Sequence, residues 1–243
     1  MSNPAATALP RRIVLETTAL ARRFGQFTAV DSLSLSVYAG EAFALLGSNG
    51  AGKTTTIKML TTLLPPSAGE ARVAGLSITT QAVAVRRVIG YVPQGVSVDG
   101  SLTGYENLLI FAKLYDLPRR EQSARIQEAL EFMDLTADGS RLVGQYSGGM
   151  VRRLEIAVST LHRPQVLFLD EPTVGLDPIA RDAVWKLLLN LRANYGTTLF
   201  FTTHYLEEAA SYCDRIAIMH LARWRRSAPV RNLRPRSALA ATR

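Results

Sequence analysis

The sequence predicts an α/β fold: a mainly parallel sheet covered by helices, an antiparallel β subdomain on its N-terminal side, and an inserted α-helical subdomain. Three observations predict it. Short, almost wholly apolar runs at residues 42–46 (AFALL), 166–169 (VLFL) and 198–202 (TLFFT) alternate with helical stretches, the pattern of strands buried on both faces. Residues 29–37 instead alternate apolar and polar, the period of a half-buried strand. Between residues 103 and 134 the apolar positions recur at helical steps, with Leu108, Phe111, Ala112 and Tyr115 on one stretch and Ile126, Leu130 and Met133 on the next.

Taken in order, residues 13–20 read as a strand and residues 22–27 as a loop. The strand at 29–37 then turns through 38–41 into the apolar strand at 42–46. Next comes Gly47-Ser48-Asn49-Gly50-Ala51-Gly52-Lys53-Thr54-Thr55, followed by the start of a helix at Thr56. Strand, glycine loop and helix with Lys-Thr in its first turn make the phosphate-binding loop of nucleotide hydrolases, and the core is read as a P-loop NTPase. The glycines let successive N–H groups turn toward one anion, and the helix adds its positive end. In that frame Lys53 faces the β- and γ-phosphates of ATP, and the Thr54 hydroxyl holds Mg²⁺. Residues 64–70 (LPPSAGE) break the helix, residues 71–74 form a short strand, and residues 88–94 form another that ends at Pro93 and Gln94. A helix after Gly149 joins the inserted helical lobe, and residues 181–193 form an amphipathic helix.

Composition narrows the setting. The chain has 243 residues, 47% of them hydrophobic and 20% charged, ordinary values for a water-soluble domain. No apolar run approaches the roughly 18–20 residues that cross a bilayer, and the first ten residues lack a signal core, so the expected site is the cytoplasm. The lone Cys213 excludes an internal disulfide and reads as a buried, inert thiol. The net charge of +8 belongs to the end of the chain: seven of the 28 basic residues follow Leu221, leaving 21 against 20 acidic ones elsewhere. A nucleic-acid partner is therefore not expected.

Two further motifs carry chemistry. The strand at 166–169 delivers Asp170 and Glu171 at its C-terminal end, where an α/β sheet also places its phosphate loop. Asp170 suits Mg²⁺ through water, and Glu171 suits orientation or deprotonation of the attacking water. Ser147, Gly148 and Gly149 open a helix and make a second anion-binding helix end that the first site does not need.

With these motifs in this order, from GSNGAGKTTTIKML through VPQ, SLTGYENL, YSGGM and LFLDEPTVGLDP to FFTTHYLEEA, the sequence resembles the ATP-binding subunits of ABC transporters. The wording is most similar to the daunorubicin-resistance drug-export branch. The resemblance covers residues 13–220, with the helical subdomain at about 95–160. It implies that Gln94 contacts Mg²⁺ and the attacking water, that Asp177 faces a second subunit, that His204 contacts the γ-phosphate, and that Phe24 stacks on adenine. Ser48 stands where the family often has Pro, Met150 where it often has Gln, and Val151 where a basic residue is frequent; Glu171 is present. The resemblance further implies a head-to-tail homodimer, in which ATP at Lys53 of one copy is capped by Ser147 and Gly149 of the other, and a separate transmembrane permease subunit at whose inner face the chain sits. Drug- or lipid-like export is the expectation from the branch. Two alternatives stand beside it: a soluble ABC ATPase acting on ribosomes or DNA, although those commonly carry two cassettes or a long insertion and neither is seen, and a C-terminally truncated transporter ATPase impaired in assembly.

After His220 the resemblance stops. Residues 221–243 have no apolar periodicity, and their arginines and prolines predict a basic tail without regular structure. A basic arm for anionic lipid or nucleic acid, a solvated tail without a role, and a change of reading frame near His220 all fit this segment.

Overall fold

The computed structural model describes residues 12–229. In chain order the elements are β1 (Ile13–Phe24), β2 (Phe27–Tyr38), β3 (Ala42–Gly47), α1 (Lys53–Leu60), β4 (Ala68–Val73), β5 (Leu76–Ser77), α2 (Ala82–Val88), β6 (Ile89–Val92), α3 (Gly104–Leu114), α4 (Arg119–Phe132), α5 (Gly148–Thr160), β7 (Val166–Asp170), α6 (Pro178–Tyr195), β8 (Thr198–Thr203), α7 (Leu206–Tyr212), β9 (Arg215–His220) and β10 (Arg223–Pro229). The strands run side by side in the order β5-β4-β1-β2-β10-β9-β3-β8-β7-β6. From β9 through β3, β8 and β7 to β6 every neighbouring pair is parallel, and β5, β4, β1 and β2 pair antiparallel. The fold is thus α/β, a parallel P-loop core with an antiparallel ribbon on its N-terminal side.

Alternation along the central strands divides the interior in two. On β3, Ala42 and Ala44 face the core under α3, α4, α5 and α6, while Phe43 and Leu45 face the core around α1 and the β1–β2 ribbon. Leu167 and Leu169 against Val166 and Phe168 repeat the split on β7, as Leu199 and Phe201 against Phe200 do on β8. This explains why the central strands are apolar at every position rather than at every second one. Local signals set the helix ends. Thr103 and Glu106 form a capping box on α3, while Asp177 caps α6 ahead of Pro178 and Gly196 closes it at φ +67°.

Trp185 on α6 is fully buried, stacked on Tyr212 with ring centroids 4.6 Å apart and edge-on to Phe201 at 4.7 Å. Its indole N–H has no partner among the described residues, so truncation forfeits packing and no hydrogen bond. Trp185→Ala is expected to cost about 3–5 kcal/mol. Urea unfolding followed by circular dichroism measures it, and an unchanged midpoint would contradict the packing described.

Several sequence expectations need correction. Residues 22–27 are not a loop: β1 continues to Phe24, β2 begins at Phe27, and only Gly25 and Gln26 turn between them. The cross-strand ladder extends to the pair Phe24↔Phe27, which a count of apolar residues in one strand does not reveal. The basic tail is not without regular structure from residue 221. Leu221 and Ala222 form a two-residue turn with both φ values positive, 48° and 63°, and β10 follows between β9 and β2. Backbone hydrogen bonding to β9 sustains that strand, a contribution that does not depend on its arginine-rich composition. The expectation for residues 230–243 lies outside the described residues.

Candidate active site

The phosphate loop lies at the C-terminal end of β3, beside the ends of β7 and β8. Its shape depends on close backbone approach. Gly52 has φ +103°, and a Cβ there would lie 2.2 Å from Ala29 O. No side chain fits there, and α1 starts at the next residue, Lys53, without a side-chain cap on its first N–H groups. Gly47 is equally tight, with a Cβ position 2.5 Å from Met219 O on β9. Ala51 is buried and its N–H donates to Ser48 O at 3.2 Å, which closes the turn.

Lys53 is 4% exposed and curls back over the loop, donating to Gly47 O at 2.8 Å and to Ser48 O at 3.1 Å. Its third partner is Glu171 Oε1, also at 3.1 Å. Glu171 follows β7 directly, is 7% exposed and adopts a left-handed backbone at φ +50°. Such a conformation in a non-glycine residue persists only where neighbours impose it. Here Thr202 does so: its hydroxyl donates to Asp170 Oδ1 at 2.6 Å and accepts the Glu171 N–H at 3.0 Å. The sheet register sets Asp170 opposite Thr202, so one buried hydroxyl orients both acidic residues. The other carboxylate oxygen of Glu171, Oε2, lies 3.2 Å from His204 Nδ1, without the alignment of a hydrogen bond. Glu171 therefore stands between a lysine and a histidine.

Asp170 Oδ1 also accepts from the Thr54 hydroxyl at 3.2 Å. Its Oδ2 is buried and has no partner among the described residues. A buried carboxylate oxygen left unpaired beside a threonine hydroxyl fits a hard divalent cation. Burial first, and then the charge of Asp170, push the Tyr91 hydroxyl up to about 12, so it stays protonated beside the site. Asn49, Gly50, Thr54 and Thr55 of the loop share one cleft with Gln94 and Glu171, and Phe27 stands at its edge.

The profile of the family described as "ABC transporter" matches residues 30–174. The chain belongs to the ABC transporter family. It carries the family's ATP-binding cassette, the ATPase module. It is 46% identical over 202 residues to the daunorubicin resistance ATP-binding protein DrrA3 of Streptomyces coeruleorubidus, covering 83% of this chain and 64% of that protein. Against the Nod factor export ATP-binding protein I of Burkholderia lata it is 43% identical, covering 83% of this chain and 66% of that one. The chain thus spans less than two thirds of the length of these curated relatives. The solved structure of cbiO1 from Clostridium perfringens, part of the ABC transporter complex cbiONQ, superimposes with a TM-score of 0.84 at 27% identity, covering 91% of this chain and 90% of that one.

Within the ABC cassette, the remaining sequence-predicted residues divide. Ser147, Gly148 and Gly149 open α5, and Ser147 caps it by accepting the Met150 N–H at 3.3 Å. None of the three lines the cleft at Lys53; Gly148 and Gly149 lie instead against Leu176 and Ala180 beside α6. Asp177 Oδ1 accepts the N–H groups of Ile179 and Ala180, both at 2.9 Å, and so has a structural task as helix cap. Phe24 is not among the cleft-lining residues, and the Arg22 guanidinium lies over its ring at 4.6 Å. Its cross-strand partner Phe27 lines the cleft and escaped the sequence reading, because only the hairpin register brings it there. Thr202 escaped for the same reason. Glu208 on α7 did too: buried, it accepts from Thr203 at 2.8 Å and from Thr173, so it joins the ends of β8 and β7 next to His204 and Glu171. Cys213 is buried, and burial pushes its thiol up to about 12, in keeping with an inert side chain.

Proposed function

We propose that the chain hydrolyses ATP as one half of a head-to-tail pair and powers export of a drug- or lipid-like substrate through a separate membrane subunit. The observation that carries this is Glu171 held between Lys53 and His204 beside the phosphate loop, with the Ser147 helix end outside that cleft. One copy holds every motif, and the helix end that its own cleft lacks is available from a second copy. The named relatives act in daunorubicin resistance and Nod factor export, which supports export as the outcome. No helix among the described residues is long and apolar enough to cross a membrane.

In this mechanism the loop N–H groups and Lys53 bind the β- and γ-phosphates. Thr54 and Asp170, with Gln94 nearby, would hold Mg²⁺, which would supply neutralisation of the charge developing on the phosphates. An arriving γ-phosphate competes with Glu171 for Lys53, because the two now neutralise each other across 3.1 Å. Losing that partner, the Glu171 carboxylate becomes free to accept a proton from water, while His204 steadies the γ-phosphate. Ser147 and Gly149 of the second copy close over the same phosphate, so cleavage removes the bridge and the pair opens.

Specific ATPase activity is therefore expected to rise with protein concentration at high dilution and then level off, as dimers fill. Steady-state assays beside sedimentation velocity with ATP test this. A chain that stays monomeric and turns over at a concentration-independent rate would refute the shared site.

A further inference from the structure

The segment following β6 is held by side chains to which the motifs assign no role. Arg152 lies one turn beyond Gly149 on α5, is buried, and donates from Nη1 to Pro93 O at 2.8 Å and from Nη2 to Gln94 O at 3.3 Å. Glu155, also buried, receives Arg152 Nη1 at 3.0 Å on Oε2 and takes the Ser97 N–H at 2.6 Å and hydroxyl at 2.9 Å on Oε1. Asn107 of α3, buried as well, accepts the Asp99 N–H at 2.8 Å and donates to Asp99 O at 3.0 Å. Residues 93–99 are thus gripped by three buried polar side chains. Most of these bonds end on backbone atoms.

A planar guanidinium offers each of two successive carbonyls its own nitrogen in one rigid plane, whereas an ammonium must serve both from a single nitrogen on a flexible stem, as Lys53 does. Filling the core alone would not call for it, since an apolar side chain of similar volume does that without removing two charges from water. The helix that bears Arg152 and Glu155 also ends at Ser147, and the carbonyl that Arg152 takes belongs to Gln94, whose residue lines the cleft. We propose that Arg152 and Glu155 are positioning residues that keep Gln94 in a fixed relation to the Ser147 helix end. This rests on the ATPase function proposed above and adds the residues that place its Gln94.

A double-mutant cycle on the full chain tests it, with Arg152→Lys removing the fork while keeping the charge opposite Glu155, and Gln94→Ala removing the group to be placed. Arg152→Lys is expected to lower kcat roughly tenfold with KM for MgATP within about twofold, the split produced by misplacing a reacting group rather than losing binding. Gln94→Ala lowers kcat too, and the double variant is no slower than Gln94→Ala alone. Glu155→Gln, which keeps an acceptor for Ser97, gives the same cycle if Arg152→Lys fails to fold. Losses that multiply in the double variant, or wild-type turnover in Arg152→Lys and Glu155→Gln, overturn the proposal. A wild-type chain without any ATPase activity would instead remove the functional proposal itself.

Discussion

Glu171→Gln is expected to abolish turnover while tightening the hold on ATP. Loss of a general base lowers the chemical step by roughly 10²–10⁴-fold. The amide also surrenders the charge that faces Lys53 at 3.1 Å and His204 at 3.2 Å. With that charge gone the γ-phosphate no longer competes for Lys53, so the affinity for ATP should rise rather than fall, and dimers should accumulate. Single-turnover hydrolysis, nucleotide titration and size-exclusion chromatography with and without ATP read the three effects. Hydrolysis at the wild-type rate would remove Glu171 from the role of base.

Lys53→Ala should fail twice over. Charge-assisted hydrogen bonds to phosphate contribute about 1.5–3 kcal/mol each, so nucleotide affinity should drop roughly 10- to 150-fold. The fold itself should also suffer, because Glu171 would be buried with one compensating cation fewer. Removing one partner of a buried pair typically costs about 3–5 kcal/mol. The second effect separates from the first in the double variant Lys53→Ala/Glu171→Gln, which should regain much of the stability and none of the binding. Thermal melts and nucleotide titration of both variants provide the check; equal melting of the single variant and the wild type would show that the pair does not contribute to the fold.

The parts of the site that one stretch of chain builds were legible in the sequence. The phosphate loop is a run of glycines between a strand and a helix, and Asp170 and Glu171 end an apolar strand. What could not be read is whatever depends on register between distant strands. Thr202 meets Asp170 because β7 and β8 pair in one alignment, and Phe27 meets the cleft because the hairpin closes at Phe24. The Arg152 grip on Pro93 and Gln94 spans 59 and 58 residues and ends on carbonyl oxygens, which every residue has. Nothing in the residue types at either end announces it. Short elements were missed for another reason: α2 and α7 have seven residues each, too few for a helical period to declare itself. In β10 composition misled outright, since arginines and proline suggested an open chain where a ladder exists.

That strand has a consequence for synthesis. β10 is the seam between the ribbon and the parallel core: the Asp31 N–H donates to Ala222 O at 2.8 Å, and Arg223 Nε reaches Asp31 Oδ2 at 2.9 Å across 192 residues of sequence. A ribosome releases β1 and β2 early, yet their berth beside the core is not complete until Arg223 has emerged. The first hairpin must wait for the last described strand, and a nascent chain halted near His220 would expose two unmated sheet edges to its neighbours.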